Sequence, residues 1–372
     1  MKKFLFFAAI AAISLASCSN DETIASQATS ESNTISFRPL MNNMTRAADI
    51  NATTLETTGF YVSARKHSGD SEYFTDAPYT VYSTPSGVKT WTCSTPYYWP
   101  ADDSELDFYA YSPKATGDGA NSQITAHSSY KSFEITPSAT AASQVDLIFA
   151  NENQKKKSTD NAGVALTFHH AESKIVIKLK NSNSSLVFTV QNVVIGNVKN
   201  KGQFTFTGVT SSLLRYSDWA WEGASNTTYS QTVADGSAYS TSTPTQVGVD
   251  MILVPQALTN ASTYASGENG ADFNGSYITV ELKIQNTANN AYVLGDASTF
   301  KTALWPLPAT EWDPGKKYTY TVDLAGGGYN PTNVNGTDEN LDPILNGAEI
   351  KFITVTVDDW TDVSGIDVPS AP

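Results

Sequence analysis

The chain has 372 residues and a formal charge of -14, with 37 acidic against 23 basic side chains, 40% apolar and 11% aromatic content. Its cations are scattered, which argues against nucleic acid as a partner, because phosphates need clustered Lys and Arg; the nearest approach to a cluster is Lys155-Lys156-Lys157, in a polar stretch. Cys18 and Cys93 are the only cysteines, so stability must rest on apolar burial, and the length allows two hydrophobic cores.

Lys2 and Lys3 give a positive start, an apolar run from Phe4 to Ile13 follows, and Leu15-Ala16-Ser17-Cys18 closes the segment. The run is shorter than the roughly 20 helical residues that cross a bilayer core, so residues 1–17 read as an export signal and not a membrane helix. Leu-Ala-Ser-Cys resembles a bacterial lipobox, which makes Cys18 the acylated first residue of a lipoprotein. Several acyl chains, at about 0.8 kcal/mol per buried CH₂, would hold the chain on the outer membrane. Cys93 is then the one thiol left, and no internal disulfide is expected. Ser19-Asn20-Asp21-Glu22 resembles the acidic signal that sends lipoproteins to the cell surface in Bacteroidetes-type bacteria. Residues 18–33 read as a flexible polar tether.

From there the pattern is almost wholly β. Apolar and polar residues alternate in Phe60-Tyr-Val-Ser-Ala64 and in Val164-Ala-Leu-Thr-Phe168. The alternation is clearest in the segment 277–285, where Ile278, Val280, Leu282 and Ile284 share a face, and in 317–324, where Tyr318, Tyr320, Val322 and Leu324 do. No stretch carries a sustained helical stripe. The fold class is all-β, with two antiparallel β-sandwich domains in tandem. The segment 151–163, NENQKKKSTDNAG, is the best internal linker, which places the first sandwich at 34–158 and the second at 159–372. Val164–Phe168 could equally close the first sandwich instead of opening the second. The polar segments 222–247 and 325–347 read as surface excursions.

Little other chemistry survives weighing. His169, His170 and Glu172 could suggest metal ligands, but adjacent strand residues point to opposite faces and no second His or Cys cluster completes a site. Structural histidines beside a core strand are the simpler account. Gly326-Gly327-Gly328 lacks the helix and lysine of a phosphate loop and reads as a flexible turn. Asp338 to Asp342 lacks the spacing of a calcium loop. Carboxylate pairs such as Asp102-Asp103 give no sign of facing each other across a cleft. No catalytic residue, metal or cofactor is expected. Trp219 and Trp221, on one face if extended, are the best candidates for an exposed stacking platform, so a glycan-binding surface lipoprotein is the rival reading.

The ordered motifs Ile35-Ser-Phe37, Thr45-Arg46-Ala47, Gly59-Phe-Tyr-Val62, Pro96-Tyr-Tyr-Trp-Pro100, Phe108-Tyr-Ala-Tyr-Ser-Pro113, Gln144-Val-Asp-Leu147, Phe168-His-His-Ala171, Val254-Pro-Gln256 and Trp312-Asp-Pro-Gly-Lys-Lys-Tyr318 resemble those of fimbrillin-family proteins. The resemblance implies two transthyretin-like β-sandwiches, export as a lipoprotein and use as a subunit of surface fimbriae without catalysis. It also implies a mechanism. An N-terminal strand, here Thr34–Arg38 with Ile35 and Phe37 inward, fills a groove in its own sandwich until a trypsin-like protease cuts between Arg46 and Ala47 and frees the 34–46 segment. A strand from another subunit then fills the groove by β-strand addition. Among the four arginines, at 38, 46, 65 and 215, Arg46 has the loop-like context after a strand, whereas Pro39 after Arg38 hinders cutting. A host or glycan receptor would be a further partner. In Glu349–Trp360, Ile353, Val355 and Val357 share a face suited to donation, with Ile350 and Phe352 on the other and a bend expected near Phe352. The same segment serves equally simply as the last strand of the second sandwich.

Overall fold

A computed structural model describes residues 33–41, 52–83, 89–115, 123–127, 130–206, 215–221, 223–259, 275–331, 343–345 and 353–360. The first half runs β1 (Phe37–Met41), α1 (Ala52–Thr58), β2 (Phe60–Lys66), β3 (Glu72–Ser83), β4 (Lys89–Thr92), β5 (Leu106–Ser112), β6 (Ile124–His127), β7 (Ser132–Ile135), β8 (Ile148–Lys155), α2 (Lys157–Asp160) and β9 (Val164–His170). Then follow β10 (Ser173–Lys180), β11 (Leu186–Lys199), β12 (Gly202–Thr205), β13 (Trp219–Ala220), β14 (Asn226–Tyr239), β15 (Thr245–Gln246) and β16 (Met251–Leu253). The last are β17 (Gln256–Ala257), β18 (Tyr277–Asn286), β19 (Tyr292–Leu294), β20 (Lys301–Pro306), β21 (Glu311–Trp312), β22 (Lys316–Asp323) and β23 (Thr354–Asp359).

Period-two burial sets the first sheet, ordered β1-β9-β8-β5-β2-β3-β4. Phe108 and Ala110 of β5 face one core with Phe60, Val62, Val164, Leu166 and Phe168, while Tyr109 and Tyr111 face another. Phe37, from the edge strand β1, reaches Phe60, Tyr79 and Phe108 in the middle of the sheet, so the sheet curls over a single core. On its outer face lies a small sheet, β13-β12-β7-β6, whose Phe133, Phe204 and Trp219 pack on Tyr109, Tyr111 and Phe149. Strands from both halves of the chain therefore share this middle layer.

The second core lies between two five-stranded sheets, β15-β10-β22-β23 with β16 beside β10, and β14-β11-β18-β19 with β20 beside β18. Ile175, Ile177, Tyr318 and Tyr320 face Phe188, Val190, Val193, Ile195, Val280 and Leu282. A bulge between Val190 and Asn192 explains why the buried parity of β11 changes from even to odd. Pairing is mostly antiparallel, but β1–β9 and β10–β22 are parallel.

Three expectations need correction. Residues 151–163 are no linker: they hold the end of β8, the single turn α2 and the return into β9 within the same sheet. Their polarity reflects a solvated edge, where Ser158 N–H donates to Asp103 at 3.0 Å. The chain crosses towards the second core at Ala171-Glu172, so β9, Val164–His170, belongs to the first sheet and 159–163 form the turn that leads into it. Residues 222–247 are largely β14, a Thr- and Ser-rich edge strand that buries Tyr229, Val233 and Tyr239. Gly326-Gly327-Gly328 is buried and tightly packed: a Cβ on Gly327 would lie 2.6 Å from Leu345, and one on Gly328 2.7 Å from the Trp305 ring, so close packing explains the run.

Candidate assembly site

Ile35 and Phe37 are both buried, in register with the period-two pattern, and Pro39 follows them inward. Tyr79 and Phe108 present their rings nearly perpendicular to Phe37, at 4.8 and 5.2 Å. The backbone of 33–37 is held from two sides. On one side β1 runs parallel to β9, from Phe37 opposite Val164 to Met41 opposite Phe168, and Val164 N–H donates to Ser36 O at 2.9 Å. On the other, Ile35 N–H donates to Tyr97 O at 2.8 Å and Trp99 N–H donates to Asn33 O at 2.9 Å. The first strand thus sits in a groove between β9 and the segment 97–99. Gly163 makes its close approach possible: its φ is +105°, a Cβ there would lie 3.2 Å from Ser36 and Arg38, and its carbonyl accepts from Arg38 Nε at 3.0 Å. Cys18, Arg46 and Ala47 lie outside the described residues.

The C-terminal strand β23 pairs antiparallel with β22, from Thr354 opposite Thr321 to Asp359 opposite Lys316, at the edge of its sheet. The shared face of Ile353, Val355 and Val357 is real but graded: Ile353 is 5% exposed and in the second core, Val355 is half-buried, and Val357 is 49% exposed. Phe352, where a bend was expected, lies outside the described residues.

Where the chain passes from β9 to β10, between the middle layer and the second core, sits a polar cluster. His169 and His170 point to opposite faces of β9, as strand alternation requires. His169 lies beside Phe149, and burial, then the neighbouring His170, holds its pKa below the usual imidazole range. His170 Nδ1 donates to Asp146 Oδ1 at 2.7 Å, with both side chains enclosed. Glu172 is fully buried and accepts from Leu147 N–H at 3.1 Å; burial, then the charge of Asp146, pushes its carboxyl well above the usual range. Lys174 is also buried, 3.9 Å from Asp250 and 4.6 Å from the Trp360 ring. Among the described residues no group of His, Cys, Asp and Glu is arranged to hold a metal ion. Sequence reasoning named His169, His170 and Glu172 but missed Asp146, Lys174 and Trp360. The available signal was Lys174 directly before the apolar run Ile175–Ile177, although Lys178 directly after it stays half-exposed.

A model of the fimbrillin-like family matches residues 45–360. The chain belongs to the fimbrillin-like family. Its fold is similar to that of a fimbrial protein from Bacteroides vulgatus, with 15% identity, a TM-score of 0.55, and 88% of this chain and 99% of that one covered. A fimbrial assembly protein from Parabacteroides distasonis also aligns, with 13% identity, a TM-score of 0.38, and coverage of 87% and 99%. A comparison with curated protein sequences gives no match.

In this fimbrillin-like chain the two candidate platform tryptophans are not an exposed pair. Trp219 is buried, 5.1 Å from the Phe204 ring, because β13 extends the middle sheet. Trp221 is half-buried, and its indole N–H donates to Pro255 O at 3.1 Å. Among the described residues, the exposed aromatics of the fimbrillin-like fold are Tyr82, Tyr98 and Tyr292.

Proposed function

We propose that this chain is a structural and adhesive subunit of cell-surface fimbriae, without catalytic activity of its own. It is exported as a lipoprotein acylated at Cys18, anchored in the outer membrane, cut after Arg46 by a trypsin-like protease, and assembled by strand exchange with other subunits. The observation that carries this reading is the first strand itself, an edge strand whose Ile35 and Phe37 fill a groove between β9 and 97–99. Its departure would expose apolar side chains worth about 1.5–3 kcal/mol each in burial, together with backbone groups that need new partners. A strand from a second copy restores both. The edge strand β23, with Ile353, Val355 and Val357, is the segment we assign as the donor. A receptor-binding role fits the family, but the glycan-binding rival has lost its tryptophan platform.

N-terminal sequencing with intact mass on protein taken from the cell surface tests the reading. A start at Ala47 supports cleavage and polymerisation. A start at acylated Cys18 would instead mean a groove that stays filled and a lipid-tethered subunit.

A further inference from the structure

β23 is an unusual strand to find in place, because most of it buries little. Of its six residues only Val355 is shielded at all, and Thr354, Thr356, Val357, Asp358 and Asp359 are exposed. The ion pair between Lys316 and Asp359 is solvent-exposed, and exposed pairs of this kind contribute little. What flanks the strand is different. Ile353 enters the second core before it, and Trp360, 4% exposed, closes it.

Trp360 does not enter that core. Its ring lies flat on His170, with 3.8 Å between centroids and 6° between planes, and Lys174 holds its ammonium 4.6 Å from the ring centroid. The Trp360 backbone N–H donates to Gly315 O at 2.8 Å, and the Gly315 backbone N–H donates to Glu172 O at 2.9 Å. Gly315, at φ +65° in the turn after Pro314, can aim both groups this way as few other residues could. Both ring partners are themselves fixed, His170 by Asp146 and Lys174 by Asp250. His170 is the last residue of β9 and Lys174 the second of β10, so the tryptophan is seated on the point where the chain passes from one strand to the other.

We infer that Trp360 is the latch that keeps the C-terminal strand in its own chain, and that its seat on His170 and Lys174 at the junction is what a strand must leave before it can be donated. This rests on the reading of β23 as the donor. The strand carries its recognition face, and the tryptophan beyond it governs whether that face is available. A flat indole against an imidazole and an ammonium is a polar-rimmed contact that can open without breaching either apolar core.

Hydrogen exchange on the full chain tests it. In Trp360→Ala the amides of 354–359 exchange about tenfold faster or more, while those of β18 keep their parent rates, since local release does not open the core. Thr356→Val, on the same strand at an exposed position outside the donor face, stays at parent rates throughout. Unchanged exchange at 354–359 in Trp360→Ala would overturn the latch. Should Trp360→Ala not fold, Trp360→Leu is measured the same way, and equal acceleration in β18 and β23 would also overturn it. The donor reading is separated by polymerisation of chains trimmed with trypsin. If exchange accelerates in Trp360→Ala but the polymer forms at the parent rate, donation by β23 fails and the latch stands.

Discussion

Phe37 is completely enclosed, with rings from Phe60, Tyr79 and Phe108 edge-on around it. Truncation there removes a buried aromatic and leaves a cavity that β-sheet backbone cannot collapse to fill, so Phe37→Ala should cost about 3–5 kcal/mol in urea unfolding of the uncut chain. The same change in a chain lacking its first strand has nothing to act on, which makes the effect specific to the filled groove. Glu172 carries a pH dependence of definite sign. Its folded pKa stands above the ordinary carboxyl value, because burial and Asp146 disfavour the charged form. The fold therefore prefers the protonated acid. This contribution is full below about pH 4.3 and is lost as pH rises from there to the raised value. Glu172→Gln imitates the protonated acid and should flatten that loss. Urea midpoints of parent and variant at pH 5 and pH 8 measure it, and an identical pH difference in both would assign the dependence to other groups.

At the scale of elements, alternation made most strands legible, because one face of each is dry. Ile278, Val280, Leu282 and Ile284 share the buried face of β18, and Tyr318, Tyr320 and Val322 that of β22. The strand β14 escaped because an edge strand can be built of Thr and Ser, with Tyr229, Val233 and Tyr239 supplying its few core contacts. The segment 151–163 escaped for the opposite reason: polarity marks solvent exposure, and a reversal inside one sheet is as solvated as a linker between two. The inward pair Ile35 and Phe37 was legible, whereas the buried junction was not, since Asp146, Glu172 and Lys174 look like surface charges until pairing brings them together. Gly163 belongs to this scale, for its conformation in the turn before β9 serves the docking of β1. Gly163→Ala meets both a positive φ and the 3.2 Å approach of Ser36 and Arg38, and should cost about 1–3 kcal/mol. Faster hydrogen exchange confined to residues 33–41 would show the loss at the groove; a uniform change across the chain would place it elsewhere.

For the whole molecule, β9 is the strand that joins the two ends of the chain. Its residues 164–168 lie beside β1, and its last residue, His170, bears the Trp360 ring. Loss of the first strand strips β9 of one pairing partner and leaves it an edge, with Val164, Leu166 and Phe168 losing the side chains of Ile35 and Phe37 against which they pack. A strand so exposed fluctuates more, and the seat of Trp360 at its end fluctuates with it. Trimming after Arg46 should therefore lower the protection of amides 354–359 in the parent chain, and do so less in Trp360→Ala, where the seat is already empty. Hydrogen exchange before and after limited trypsin treatment, with the trimmed species confirmed by mass, reads this directly. Equal loss on trimming in parent and variant would mean that the two ends respond independently. A larger loss in the parent would make removal of one strand the event that readies the other.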